Sequence, residues 1–286
     1  MVGRTAWPRA FAAATALTTA ACAASLMRLP AGPGVPAADA VDALAQATAT
    51  CRSIKTLTAE IGISGSAGGR RVRGRLLAGA AAPASVRLEA LAPFGAPVFI
   101  FVSIDDDATL LLPRDDRILE QGRPDAVLDA VAGVPLTGAD LRTTLTGCAP
   151  TLVEPAGRSL TDNWRVVSGP DGPRGPETGS YQLYLRRDNA TGPWRLVAVI
   201  REGSPDFVVR TEYRDFQNDL PRSIRVSGND PIAQSGDAAF DLMLALSQVE
   251  TNVPLGPEVF SVEVPASATP ITVEELRRAC LGIREN

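Results

Sequence analysis

Few residues in this chain could do chemistry, and their types restrict it sharply. There are four cysteines, at positions 22, 51, 148 and 280, and no histidine. Without an imidazole the chain lacks the commonest general base near neutral pH, the usual zinc ligand, and both the Ser-His-Asp and Cys-His arrangements. The carboxylate pairs Asp115-Asp116 and Glu274-Glu275 are sequence neighbours, in a turn and at a helix start, where solvation or capping accounts for them. Asp105-Asp106-Asp107 lacks the glycine and distal glutamate of an EF-hand loop, so no metal is expected there. No CxxC occurs, and no cofactor is expected. Cys51, Cys148 and Cys280 read either as a Cys51–Cys148 disulfide with Cys280 unpaired on a terminal helix, or as three separate thiols. The inventory points away from an enzyme.

The elements that carry these residues begin with an export signal. Arg4 and Arg9 precede an uncharged run from Ala10 to Ala21, too short to span a bilayer, so residues 1–21 read as a signal peptide. The run closes on Ala20-Ala21-Cys22, which resembles the lipobox of bacterial lipoproteins, where the cysteine is diacylated and becomes the new N-terminus. Thr19 stands where that motif usually has leucine, and Leu17 sits two positions early; the other reading is an ordinary small-residue cleavage site. Residues 22–35, rich in proline and glycine, are expected as a flexible tether, and 36–286 as a single domain. At 45% hydrophobic residues the chain can build a core. A net charge of −4, one lysine (Lys55) and arginines spread over both halves argue against nucleic acid.

Val41, Leu44 and Ala45 share a helical face in "PAADAVDALAQATATC", with Asp39 and Asp42 near its start. From Ile54 the period becomes two, in "TLTAEIGISG", "RRVRGRLLAG" and "ASVRLEALA". Arg71, Arg73 and Arg75 fall on one face of the second run, either a solvated strand face or a basic recognition patch. "PVFIFVSI" is apolar on both faces, as in a strand covered on each side. Before it, Pro93 and Gly95 make a turn around Phe94, and turn geometry asks for no ring there. Phe94 is therefore a buried anchor or a protruding tip. Helical spacing returns at Val127, Leu128 and Val131, breaks at Gly133–Pro135, and resumes at Leu141 and Leu145, with Thr137 as N-cap and Gly147 as C-terminal stop. Six more strand-like runs follow, from "WRVVSG" to "AFDLMLALSQVE", with a polyproline-like hairpin loop at "GPDGPRGPE" and a closing helix at "TVEELRRACLGI". The layout predicts an α+β fold, an antiparallel meander that curls and is lidded by its helices.

The lipobox, the first helix, the paired strands, "RLEALAPFGAPVFIF" and "LDAVAGVPLTGADLRTTLTG" together resemble the outer-membrane lipoprotein receptor LolB and, more loosely, its periplasmic relative LolA. The similarity is densest from about residue 50 to 150, beyond which only the strand pattern matches. The resemblance implies an unclosed antiparallel β-barrel with a helical lid over a hydrophobic cavity for lipoprotein acyl chains. It implies a monomer anchored in the outer membrane through Cys22, facing the periplasm and taking cargo from a LolA-like carrier. An apolar residue protrudes at one strand connection in that family and serves membrane insertion; Phe94 matches it. The apolar alternates of the strands are the candidate cavity lining: Val72, Leu76, Val86, Leu88, Val98, Ile100, Leu110, Leu112, Leu183, Leu185, Leu242, Leu244 and Leu246. Core packing is the other reading of each. Two other functions fit the same pattern: a carrier of free lipid or glycolipid, and a structural lipoprotein with a filled core.

Overall fold

The computed structural model describes residues 25–94, 97–172, 179–203, 207–229 and 238–281, without the side chains of residues 238, 280 and 281. Cys22 and the end of the "GPDGPRGPE" loop lie outside the described residues, as does the Cys280 side chain. The first half carries β2 (Thr56–Ala67), β3 (Arg70–Ala81), β4 (Ser85–Leu91), β5 (Phe99–Ile104), β6 (Asp107–Leu112) and β7 (Arg117–Gly122). The second half carries β8 (Ala156–Thr161), β9 (Trp164–Pro170), β10 (Ser180–Arg186), β11 (Arg195–Glu202), β12 (Val208–Arg214), β13 (Ser223–Asn229) and β14 (Ala238–Thr251). Two-residue strands, β1 (Val35–Pro36) and β15 (Thr269–Pro270), stand at the edges.

Among the described residues these form one 15-stranded sheet, in the order β1-β8-β9-β10-β11-β12-β13-β14-β2-β3-β4-β5-β6-β7-β15. Every pairing is antiparallel except that of β15 with β7. Each half is a meander, and the seam between them is the long pairing of β14 with β2, from Phe240 opposite Ala67 to Thr251 opposite Leu57. The outer strands β1 and β15 do not meet, so the sheet curls without closing. Very short edge strands leave little unpaired backbone for another chain to extend.

The helices α1 (Ala40–Ala47), α3 (Pro124–Ala132) and α4 (Gly138–Thr146) bring their apolar sides to the concave face, as does α5 (Val273–Leu281) through Leu276, while the short α2 (Ala49–Ser53) buries Cys51. Leu57, Ile61, Val86, Leu88, Phe101, Leu110, Leu183 and Leu185 from the sheet join Leu44, Val127, Leu145 and Leu276 from the helices in one core. Thr137 and Gly147 do what their spacing predicts. Thr137 Oγ1 accepts from the Asp140 backbone N–H, Asp140 accepts from the Thr137 backbone N–H, and Gly147 ends α4 at φ 65°.

Helix α1 departs from expectation in its buried face. Ala40, Ala43 and Leu44 are inside, whereas Val41 is exposed. A Cβ on Gly157 of β8 would stand 2.5 Å from the Ala40 Cβ, so the helix sits on the sheet through its smallest residues, an approach Val41 would block. The helix is also broken at Thr48, with α2 following as a separate turn.

Residues 25–35, the described part of the expected tether, are extended but laid down on the convex side of the second meander. Met27 and Leu29 pack with Val166, Tyr184, Val197 and Ala198. The Glu212 carboxylate, fully buried, accepts the Met27 backbone N–H at 2.9 and 3.1 Å. It is flanked by Arg210 at 2.6 Å and Arg214 at 2.7 Å. Arg214 also donates to the Ser25 carbonyl at 2.7 Å, and Arg210 to that of Met27. Composition alone signals an extended chain; partners elsewhere in the sequence turn it into a docked one.

Candidate functional site

The site is built on the concave face, where burial changes along the strands. On β2, Leu57 and Ile61 are buried and Ile63 is half-buried; on β3, Ala80 and Ala78 are buried, Leu76 is half-buried and Gly74 is exposed. Phe101 and Leu110 are fully buried, while Phe99 and Leu112, each two residues nearer the same end, are only partly covered. That end carries the β4–β5 turn with Phe94, the β2–β3 turn at Gly68-Gly69 and the β6–β7 turn. Cover on the concave face thus falls along these strands, leaving half-buried apolar side chains toward one end. That end is where Phe94 projects, 89% exposed.

Most of the candidate lining residues come together here, with two exceptions. Val86, Leu88, Leu110, Leu183, Leu185, Leu242 and Leu246 are buried in the concave core. Val72, Leu76, Leu112 and Leu244 are half-buried on that face and form the accessible part of it. Val98 and Ile100 do not belong. Phe99 and Phe101 pair with Ala90 and Leu88 and point inward with them, so alternation sends Ile100 to the convex side, opposite Glu89. "PVFIFVSI" is apolar on both faces and so carries no clear parity signal. Ile63, Phe99, Val131, Leu141 and Phe207, which the alternation argument missed, also border the concave core.

The lid has two differently held parts. Helix α4 is fixed to the body by the Cys51–Cys148 disulfide beside its C-terminus, by Arg142 donating to the Ile54 carbonyl at 2.6 Å, and by Arg201 with Asp140 at 3.5 Å. Beneath it a void of about 40 Å³, bordered by Tyr181, Thr211 and Tyr213, is far too small for an acyl chain. Desolvation pushes the Tyr213 phenol well above its ordinary pKa, so it stays neutral there. Helix α3 rests instead on Val127 against Gly122 and on α5, to which Asp129 is joined by Arg277 at 2.9 Å in a 40%-exposed pair. Helix α4 is thus tied to the body by a disulfide, a hydrogen bond and an ion pair, and α3 by side-chain packing and one ion pair to α5.

The convex face differs in character. The chain after β14 crosses it through a short 3-10 turn, Pro257–Phe260, whose Val259 covers Gly79 and whose Val259 and Ser261 carbonyls accept from Arg87. A cleft of about 770 Å³ beside it is lined by Glu60, Glu89, Arg87 and Gln248 as well as Leu77. Its charged walls do not suit hydrocarbon. Among the described residues no helix is long and apolar enough to cross a membrane, and no group of three metal-ligating side chains occurs.

The curled, unclosed sheet with helices against its concave face recurs in solved structures. One is a LolA-superfamily protein from Nitrosomonas europaea, at TM-score 0.53 and 14% identity over 78% of this chain and 97% of that one. The fold is that of the LolA superfamily. A DUF1329-family protein from Desulfovibrio piger is similar to this chain at TM-score 0.50 and 10% identity, over 79% of this chain and 98% of that one. No family model matches the sequence, and no curated protein matches it. The LolA-like fold is thus legible in backbone geometry where residue identity has largely gone.

Proposed function

We propose that this chain is a lipid-anchored, non-enzymatic acceptor of lipoprotein acyl chains, similar to LolB, acting at the periplasmic face of the outer membrane. Acylated Cys22 is its anchor, and a LolA-like carrier is its donor. The observation that carries the reading is the coincidence, at one end of the sheet, of half-buried apolar side chains on the concave face with the exposed ring of Phe94. Each methylene kept from water is worth about 0.8 kcal/mol, so a diacylated client must pass between apolar surroundings without entering solvent. A concave hydrophobic face beside a membrane-seeking tip supplies that path. Transfer then needs only an acceptor that binds the chains better than the donor, with no bond made or broken.

The test combines mass spectrometry of co-purified hydrophobic ligands with transfer of an acylated lipoprotein from its carrier. Acceptance of the lipoprotein supports the proposal. Recovery of phospholipid alone, with no acceptance, replaces the client with free lipid. Palmitate labelling of the wild type and of Cys22→Ala tests the anchor; unchanged labelling in the variant would remove it.

A further inference from the structure

The arginine run "GGRRVRGR" is not used by an acyl-binding concavity, and its placement is specific. Strand β3 pairs with β2 as far as Arg70 opposite Ala67, but with β4 only from Arg75 opposite Leu91 upward. The stretch from Arg70 to Gly74 therefore overhangs beside the turn that carries Phe94. Alternation puts Val72 on the concave side and Arg71 and Arg73 on the convex side, both exposed. Among the described residues Arg71 and Arg73 carry no ion pair, whereas Arg75 on the same face is joined to Glu60 at 2.9 Å. Arg114, on the β6–β7 turn, donates to the Phe94 carbonyl at 3.1 Å and holds that turn against the aromatic tip. Acids on this side include Asp241, in the cross-strand row of Ser66 and Arg71 and joined to Arg225 at 2.6 Å, and Asp115 and Asp116 of the β6–β7 turn, of which Asp116 accepts from Ser267 at 2.9 Å.

We infer that Arg71 and Arg73 form, with Phe94 and the 45%-exposed Val98, a docking surface for a bilayer bearing anionic phospholipid headgroups. This rests on the reading of Phe94 as a membrane tip and adds to it the chemistry of the membrane. In a chain of net charge −4, a cationic overhang beside the most exposed ring is the orientation an anionic surface selects, since the remainder of the protein is repelled. Guanidinium groups suit the task because their planar donors engage phosphate oxygens in pairs. An acidic protein partner would use the arginines but has no need of Phe94.

The test is vesicle flotation of the full chain carrying Cys22→Ala, so that acyl chains do not mask weaker contacts. Vesicles of phosphatidylcholine alone are compared with vesicles containing about one third phosphatidylglycerol. The expected result is a preference for the anionic vesicles that salt weakens. Arg71→Gln with Arg73→Gln should lose roughly ten- to thirtyfold on the anionic vesicles while leaving phosphatidylcholine binding unchanged. Phe94→Ser should weaken binding to both. Equal, Phe94-dependent binding to both vesicles by the wild type overturns the arginine surface and leaves the tip standing. An anionic preference indifferent to Phe94→Ser overturns the tip and leaves the arginines. A double-arginine variant that keeps the full preference, with an unchanged melting curve, overturns the inference, as does a wild type that binds neither vesicle.

Discussion

The Glu212 carboxylate and the Met27 backbone N–H, 185 residues apart in sequence, meet at 2.9 Å on the convex face of the sheet. Glu212 is fully buried, its two carboxylate oxygens paired with Arg210 and Arg214, and the Met27 N–H adds a backbone donor to this ionic site. Removing one member of a buried pair costs about 3 to 5 kcal/mol, because the partner charge stays behind. Glu212→Ala should lie near the lower limit, since both arginines retain some exposure. Urea unfolding measures the loss. Trypsin reads the arm: Arg28 lies within the docked segment, and cleavage after it should accelerate in the variant. Equal cleavage in both proteins would show that the arm is not held by this site.

Lining and core should separate by substitution. Leu110→Ala, at a fully buried position, should destabilise by about 2 to 5 kcal/mol through lost burial and the cavity left behind. Leu244→Arg, at a half-buried position, should retain most stability by carrying its guanidinium to solvent, and should abolish acyl-chain binding. Thermal melts and a fluorescent fatty-acid displacement assay give the two readouts. Loss of folding in Leu244→Arg would place that residue in the core.

Phe94→Glu should change stability by no more than about 0.5 kcal/mol, as expected of an exposed turn side chain. Chain binding should persist while delivery to a membrane falls. An unfolded variant would mean that Phe94 is a buried anchor.

The Cys51–Cys148 bond spans a sequence separation of 97. Loops of that length correspond to about 4 to 5 kcal/mol in the chain-entropy treatment, with measured values commonly lower. Cys51→Ala with Cys148→Ala should therefore lose about 2 to 5 kcal/mol in urea unfolding. The loss should be confined to the oxidised protein: under reducing conditions wild type and variant should converge.

Acid should loosen two helix starts. Hydrogen bonds from Arg165 hold the Asp39 carboxyl, before α1, below the ordinary carboxylate range. At Asp125, in the first turn of α3, burial acts upward, but the Arg123 guanidinium at 2.7 Å outweighs it and the net direction is down. A carboxyl whose folded-state pKa is depressed contributes stability that is complete above the unfolded value, about 4, and is lost as pH falls through the folded one. Melting temperature should therefore drop as pH is lowered below about 4, with a shallower drop in Asp39→Asn and Asp125→Asn. Identical acid profiles would show that these pairs do not contribute.

Sequence alone determined the local elements. Period-two alternation marked β2 to β4, a run apolar on both faces marked β5, strand-like runs marked β9 to β14, and Thr137 with Gly147 set both ends of α4, because strand pleat and helix capping are short-range effects. The turn chemistry around Phe94 likewise identified a ring with no role in the turn. Tertiary structure alone decided the rest. The seam between β14 and β2 joins residues that no local rule connects. Parity in the all-apolar β5 was settled only by pairing of Phe101 with Leu88, which sent Ile100 outward. The N-terminal arm is a docked strap because its backbone bonds to Glu212, Arg210 and Arg214 of β12. In each case the deciding interaction is between segments far apart in the chain, and burial, unlike periodicity, is a property of the assembled sheet.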